Sequence, residues 1–228
     1  MKRLALDTSS LACTVALRLG DETIERHEEQ AREHTRLLMP MIRDVLDEAG
    51  TSLTALDAIV LGNGPGSFIG MRIAASVAQG LAYGAGLGII PVSSLAAVAA
   101  ELMSQSAANT VAVAQDAHLQ EVYLGLYERG ADGLPRSMCD ERLQAAGAID
   151  ELSRGEPRST VAAGQGWERY PGLFAANERW LAGKPQVLYP RARYLLGLSA
   201  LGSAIDAGDL QPAYLRHKVA EKPAPRGR

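Results

Sequence analysis

The patterning of the chain predicts an α/β fold assembled from two related halves. The first half reads as three short strands, then helices alternating with strands, an order that builds a helix-covered mixed sheet. Leu4-Ala5-Leu6-Asp7 is echoed by Val113-Ala114-Gln115-Asp116, 109 residues later and about half the chain away, which points to a repeated unit. Hydrophobic residues are 47% of 228, enough for one large core or two small ones. The expected division is 1–108 for an N-terminal lobe and 109–228 for a smaller one with a basic tail.

Each element has a local reason. Arg3 to Asp7 predicts a strand ending in the turn Asp7-Thr8-Ser9-Ser10. Cys13 to Leu19 predicts a second, with Val15, Leu17 and Leu19 on one face and Thr14, Ala16 and Arg18 on the other. Gly20-Asp21 turns the chain into a third strand, Glu22 to His27. From His34 to Ala49, Leu37, Leu38, Met41, Ile42, Val45 and Leu46 recur at helical spacing, and Gly50 ends the run. Leu56 to Leu61 is a buried strand. A glycine loop follows, then a helix from Phe68 to Tyr83 whose Ala74, Ala75, Ser76, Ala78 and Gly80 predict close packing between neighbours. Gly88 to Val92 predicts a strand and Ser94 to Gln105 a helix. In the second half, strands are expected around Asp116, at Glu121 to Tyr127, Thr160 to Gly164 and Gln186 to Tyr189. A helix is expected over Arg191 to Ala207, then a basic, proline-containing tail. Tyr83, Trp167 and Trp180 read as packing residues, and Cys13 and Cys139 as buried apolar groups.

Composition excludes several classes. With 23 basic and 26 acidic residues the net charge is −3, unlike a basic nucleic-acid coat. Aromatics are 5%, with two Phe, too few for a stacking platform. Two cysteines make neither a disulfide scaffold nor a zinc site. Asp7 breaks the first apolar run too early for a signal peptide, so a cytoplasmic location is expected. Residues 73–100 carry no charge, but Gly80, Gly84, Gly86, Gly88 and Pro91 punctuate them, which favours a buried core over a membrane span.

Two features could carry chemistry. A strand, Gly64-Pro65-Gly66-Ser67 and a helix gather backbone N–H groups and a helix dipole at one point, which suits a phosphate. A tight turn that lets the next helix pack gives the same pattern. Asp7-Thr8-Ser9 at a strand end could hold a magnesium–phosphate unit, or could be an Asx turn. Asp116 carries the same two readings. His27, His34, His118 and His217 lack metal-binding spacing, and no Gly-x-Ser-x-Gly elbow is present. His34, at a helix start, fits a cap or an interface.

Taken together, Leu6-Asp7-Thr8-Ser9, Leu37-Leu38-Met39-Pro40, the run Gly64 to Arg72, Gln79-Gly80-Leu81-Ala82 and Pro91-Val92-Ser93-Ser94-Leu95 resemble the bacterial TsaB (YeaZ) family. So do Asp116 with Glu121-Val122-Tyr123 and the late Ala213-Tyr214-Leu215-Arg216. Ile69, Met71 and His118 depart from the family's usual Thr, Leu and Arg. The resemblance implies a two-lobed fold like actin and the Hsp70 ATPase domain, a duplicated ribonuclease H-like unit with a reduced second lobe. It also implies a role in transferring a threonylcarbamoyl group to N6 of adenosine 37, in tRNAs reading codons that start with A. In that family catalysis belongs to the paralogue TsaD, and the ATPase TsaE joins the pair. The paralogue's metal-binding histidines align with Ser94 and Val98, which cannot replace them. No catalytic residue, metal or cofactor is therefore expected, and Asp7, Thr8, Ser9, Gly64, Pro65, Gly66 and Ser67 become a vestigial phosphate loop. An autonomous kinase or ATPase using that loop, or a peptidase, are the competing readings.

The expected partner surface is His34, Leu37, Leu38, Met41, Ile42 and Val45 with Arg72, Ile73 and Ser76. It would pair the chain with itself in isolation and with TsaD in the complex, tRNA being reached through the complex. The tail from His217 to Arg228 is net +3 and is expected either to be a solvated terminus or to touch tRNA phosphates.

Overall fold

The computed structural model describes residues 1–30 and 32–216. The tail from His217 onward lies outside them. Five strands form the first sheet in the order β3-β2-β1-β4-β5: β1 (Lys2–Asp7), β2 (Cys13–Leu19), β3 (Glu22–Glu28), β4 (Ala58–Gly62) and β5 (Gly88–Val92). The first three are antiparallel neighbours, and β1, β4 and β5 run parallel. Alternation sends Leu4, Leu6, Val15, Leu17, Ile59 and Leu61 to one face, under helices α1 (His34–Glu48) and α2 (Phe68–Ala85). Ala5, Ala16, Ala58, Val60 and Ile90 point the other way, toward α3 (Ser94–Gln105).

The second sheet is built from β6 (Thr110–Asp116), β7 (Glu121–Arg129), β8 (Pro135–Ser137), β9 (Arg142–Ala145) and β10 (Thr160–Ala163). Its pairing repeats that of the first. β6 runs antiparallel to β7 and parallel to β10, as β1 does to β2 and β4. Asp7 and Asp116 end corresponding strands, and each accepts a hydrogen bond from the amide two residues on, Ser9 at 2.6 Å and His118 at 2.8 Å. The chain is thus an α/β protein of two lobes, each a mixed sheet with helices. On the far face of the second sheet lie the short helices α4 (Gln165–Arg169) and α5 (Pro171–Asn177). Trp167 is buried there and donates to Ala112 O at 3.1 Å.

The helix sandwiched between neighbours is α3, not α2 as its small residues predicted. One side of α3 packs on the first sheet through Ala97 and Ala100, the other on Val111, Val113, Tyr123 and Tyr127 of the second. Small residues on α2 serve two separate purposes. Ala74, Ala75, Ala78 and Ala82 lie on the first sheet, whereas Ser76, Gly80 and Gly84 face outward.

The late helix is shorter than its apolar spacing predicts. Only α6 (Ala192–Leu198) forms, followed by a 3-10 turn over Ser199–Leu201. It returns to the first lobe, packing Ala192, Leu195, Leu196 and Leu198 on the alanine-rich face of the first sheet, so a cut at residue 108 leaves out this return. The Glu25 carboxylate, 2.6 Å from Arg191 Nη2, accepts from the Arg193 amide, and Thr14 Oγ1 accepts from Ala192 N, which fixes its start. Beyond that turn, Ile205 pairs with Ile89 along the edge of β5. The expected strand at Gln186 to Tyr189 is reduced to one bridge, Ala163 to Gln186. Among the described residues no helix is long and apolar enough to cross a membrane.

Candidate docking face and interlobe cleft

The two lobes enclose a cleft of about 670 Å³ lined by Ser10, His34, Ser67, Gln115, Asp116 and Arg216, among others. Behind the lining residues Ser9 and Ser94, Asp7 is fully buried. Its Oδ2 accepts from Ser94 Oγ at 2.5 Å, its Oδ1 from Ser9 N, and Ser94 Oγ in turn accepts from Gly64 N at 3.2 Å. Both carboxylate oxygens are spent inside the protein. Burial, partly opposed by these hydrogen bonds, raises the Asp7 carboxyl above the usual carboxylate range. A magnesium ligand needs the opposite, a carboxylate that is readily charged and open to the cleft.

The glycine loop is closed on the same point. A Cβ on Gly64 would lie 2.3 Å from Ser94 N, and one on Gly66 would lie 2.1 Å from Ser9 O. Ser67 N donates to that carbonyl at 2.6 Å, and Thr8 Oγ1 donates to Gly70 O at 2.7 Å. Ser67 caps α2 by accepting from Gly70 N. Close backbone approach alone accounts for both glycines. The sequence left a phosphate cradle and a packing turn open; the amides of Gly64 and Ser67 point into the protein. Ser94 closes the network, and Val98 is buried in the core between the lobes.

Asp116 is engaged as well. Its Oδ1 accepts from Tyr170 OH at 2.6 Å besides His118 N, and its Oδ2 lies 3.3 Å from His118 Nδ1. It staples an unusual hairpin: His118, Leu119 and Gln120 have φ of 60°, 54° and 60°, three left-handed residues in succession. Each costs about 1–2 kcal/mol outside glycine. Leu119 stands 79% exposed at the cleft mouth.

The expected partner surface divides. Leu38, Met41, Ile42 and Val45 are buried in the core beneath α1, and Leu37 is half-buried against it, so the wide apolar arc of α1 is satisfied by its own lobe. His34 is buried too, and it caps nothing, because Glu33 is the N-cap. Burial lowers its pKa, a backbone contact at Ser10 opposing in part, so the ring is neutral at pH 7. What faces outward is α2. Ile69 is 70% exposed, and Arg72, Ser76, Gly80, Tyr83 and Gly84 continue one helical stripe, with Ile73 half-buried beside it. Tyr83, expected to pack, is 87% exposed. Cys13 is buried, its thiol pushed up to about 12 by desolvation and then by Asp7 and Glu28, while Cys139 is only half-buried. Among the described residues no three His, Cys, Asp or Glu side chains gather as a metal site.

The fold and cleft define a two-lobed α/β protein in which the aspartate ending β1 is tied through Ser94 to the glycine loop. Residues 21–178 match the family described as TsaD, tRNA N6-adenosine threonylcarbamoyltransferase. The tRNA threonylcarbamoyladenosine biosynthesis protein TsaB of Escherichia coli is 37% identical over 99% of both chains, and that of Haemophilus influenzae 36% identical over 97% of this chain and 96% of that one. A crystal structure from Pseudomonas aeruginosa, described as an uncharacterized protein with similarity to peptidase YEAZ, is 36% identical and superimposes with a TM-score of 0.82 over 94% of this chain and 99% of that one. The chain belongs to the TsaB (YeaZ) family.

Proposed function

We propose that this chain is a non-catalytic, activating scaffold in the cytoplasmic synthesis of N6-threonylcarbamoyladenosine at adenosine 37 of tRNA, and that it acts by pairing with a TsaD paralogue. The observation that carries this reading is the outward face of α2. Two large apolar side chains, Ile69 and Tyr83, stand exposed at its ends, and Ser76, Gly80 and Gly84 lie between them. Nothing lies within 4 Å of a Cβ built on Gly80 or Gly84. The fold itself has no use for either glycine, and each costs the helix roughly 0.5–1 kcal/mol relative to alanine. A second helix approaching closely would use that space. A paralogue with the same duplicated, actin-like fold would offer the equivalent helix, so pairing would be pseudo-symmetric, with a homodimer forming in isolation. TsaE would join this pair, and tRNA would be reached through the complex.

The buried Asp7–Ser94–Gly64 network supports a non-catalytic role. The competing reading is an autonomous nucleotide-binding enzyme, favoured by the size of the cleft. Reconstitution separates them. With TsaD, TsaE, ATP, threonylcarbamoyl-adenylate and tRNA, adding this chain should raise modification of adenosine 37, and Asp7→Asn should stimulate as well as wild type. Calorimetry of the chain alone with Mg-ATP should give no micromolar binding, which would be about −8 kcal/mol. Tight binding that Asp7→Asn abolishes would favour the enzyme.

A further inference from the structure

Residues 205–216 run as a strap from one lobe to the other. Ile205 and Ile89 exchange backbone hydrogen bonds at 2.8 and 2.9 Å on the edge of the first sheet. The strap then crosses α2, where Gln79 Nε2 donates to Ala207 O at 2.9 Å. Asn63 grips it twice, donating from Nδ2 to Gln211 O at 3.0 Å and accepting at Oδ1 from Ala213 N at 3.3 Å. Tyr214 closes on the start of α2. Its ring lies 5.4 Å from that of Phe68, and its hydroxyl accepts from Arg72 Nε at 2.9 Å. The Arg72 guanidinium stacks 3.7 Å from the Phe68 centroid. The next two residues belong to the second lobe. Leu215 packs on the core between the lobes, and Arg216 donates to Ala117 O at 2.9 Å and pairs with Glu121 at 2.6 Å.

Ala117 and Glu121 flank the left-handed hairpin residues His118, Leu119 and Gln120. Three consecutive residues, 214–216, thus join Arg72 on the outward face of α2 to the hairpin at the cleft mouth. We infer that this strap couples docking on α2 to the firmness of the hairpin at the cleft mouth, with Tyr214 and Arg216 as its two grips. The inference rests on the reading of α2 as the docking face. Arg72 is exposed, so a partner covering it removes water from the cation–aromatic stack and strengthens it. A firmer stack holds Tyr214, and Tyr214 holds Arg216 on the hairpin.

The test is amide hydrogen exchange on the full chain, alone and mixed with the TsaD paralogue, followed in peptides spanning residues 117–123. In wild type the partner should slow exchange there about tenfold, within the usual range of coupling between sites. In Tyr214→Ala the partner should still bind, but exchange at the hairpin should not slow. Should that variant fail to fold, Tyr214→Phe, which removes only the hydroxyl that Arg72 uses, carries the same expectation. Slowing that persists in the variant means direct contact with the partner and overturns the coupling. No slowing in wild type despite binding overturns it too, and leaves the docking reading standing. A wild-type chain that does not bind the paralogue overturns both.

Discussion

Replacing Gly66 with alanine separates a packing loop from a phosphate cradle. The new Cβ would lie 2.1 Å from Ser9 O, against roughly 3.4 Å for an ordinary contact, and the opposing atom is backbone. Either β1's turn or the start of α2 must shift by about 1 Å. Overpacking of this kind costs about 1–3 kcal/mol. The shift also breaks the Ser67 N to Ser9 O hydrogen bond, worth about 1 kcal/mol. For a chain of this length each kcal/mol moves the melting temperature by about 2–4 °C, so Gly66→Ala should melt roughly 5–15 °C below wild type. Gly80→Ala is the control of opposite sign. It sits in an exposed helix interior with nothing within 4 Å, and should raise the melting temperature of dilute, monomeric protein by about 1–4 °C. Thermal unfolding followed by circular dichroism reads both. A Gly66→Ala variant that melts with wild type would refute the packing origin of the loop, as would a Gly80→Ala variant that melts well below it for the open space over α2.

Asp7 should make the fold less stable as pH rises. Its folded pKa is raised, so its contribution is fully present below about 3.8 and is lost as pH climbs through the raised value. Asp7→Asn should flatten that fall, seen as urea midpoints at about pH 4 and pH 7 that differ less than in wild type. A wild type that gains stability over this range through Asp7 would contradict it. Leu38→Ala should destabilise the isolated chain by about 2–5 kcal/mol in urea unfolding, because Leu38 is 1% exposed in the core. Leu38→Glu should not fold, and a folded, unpaired monomer would restore α1 as a docking helix.

Legibility in the sequence followed how local each feature is. Strand β2 and helix α3 lie where their patterns place them, because Val15, Leu17 and Leu19 alternate toward one packing face and Ser93 caps a run of apolar residues. The paired aspartates were visible as an echo because both end corresponding strands. The apolar spacing runs past the end of α6 because Ile205 fits a helical spacing yet is claimed by Ile89, more than a hundred residues earlier. Leu38 and Met41 look like a partner surface in the sequence because a wide apolar arc does not say how much the fold itself covers; α1 packs on β2 and also against β3. Nothing local could place Tyr214 on Arg72 or Arg216 on Glu121, since those contacts join distant segments. The family-like run Ala213 to Arg216 is the one local mark of this segment in the sequence.

The scaffold account depends most directly on the outward face of α2, and a single affinity measurement tests it. Ser76 is exposed at the middle of that face and touches neither the core nor the cleft, so Ser76→Arg should fold and melt as wild type. Titrated against the TsaD paralogue, the variant should bind at least about a hundredfold more weakly than wild type, as expected for a central position in a close-packed interface. Unchanged affinity in a folded Ser76→Arg chain would contradict the account.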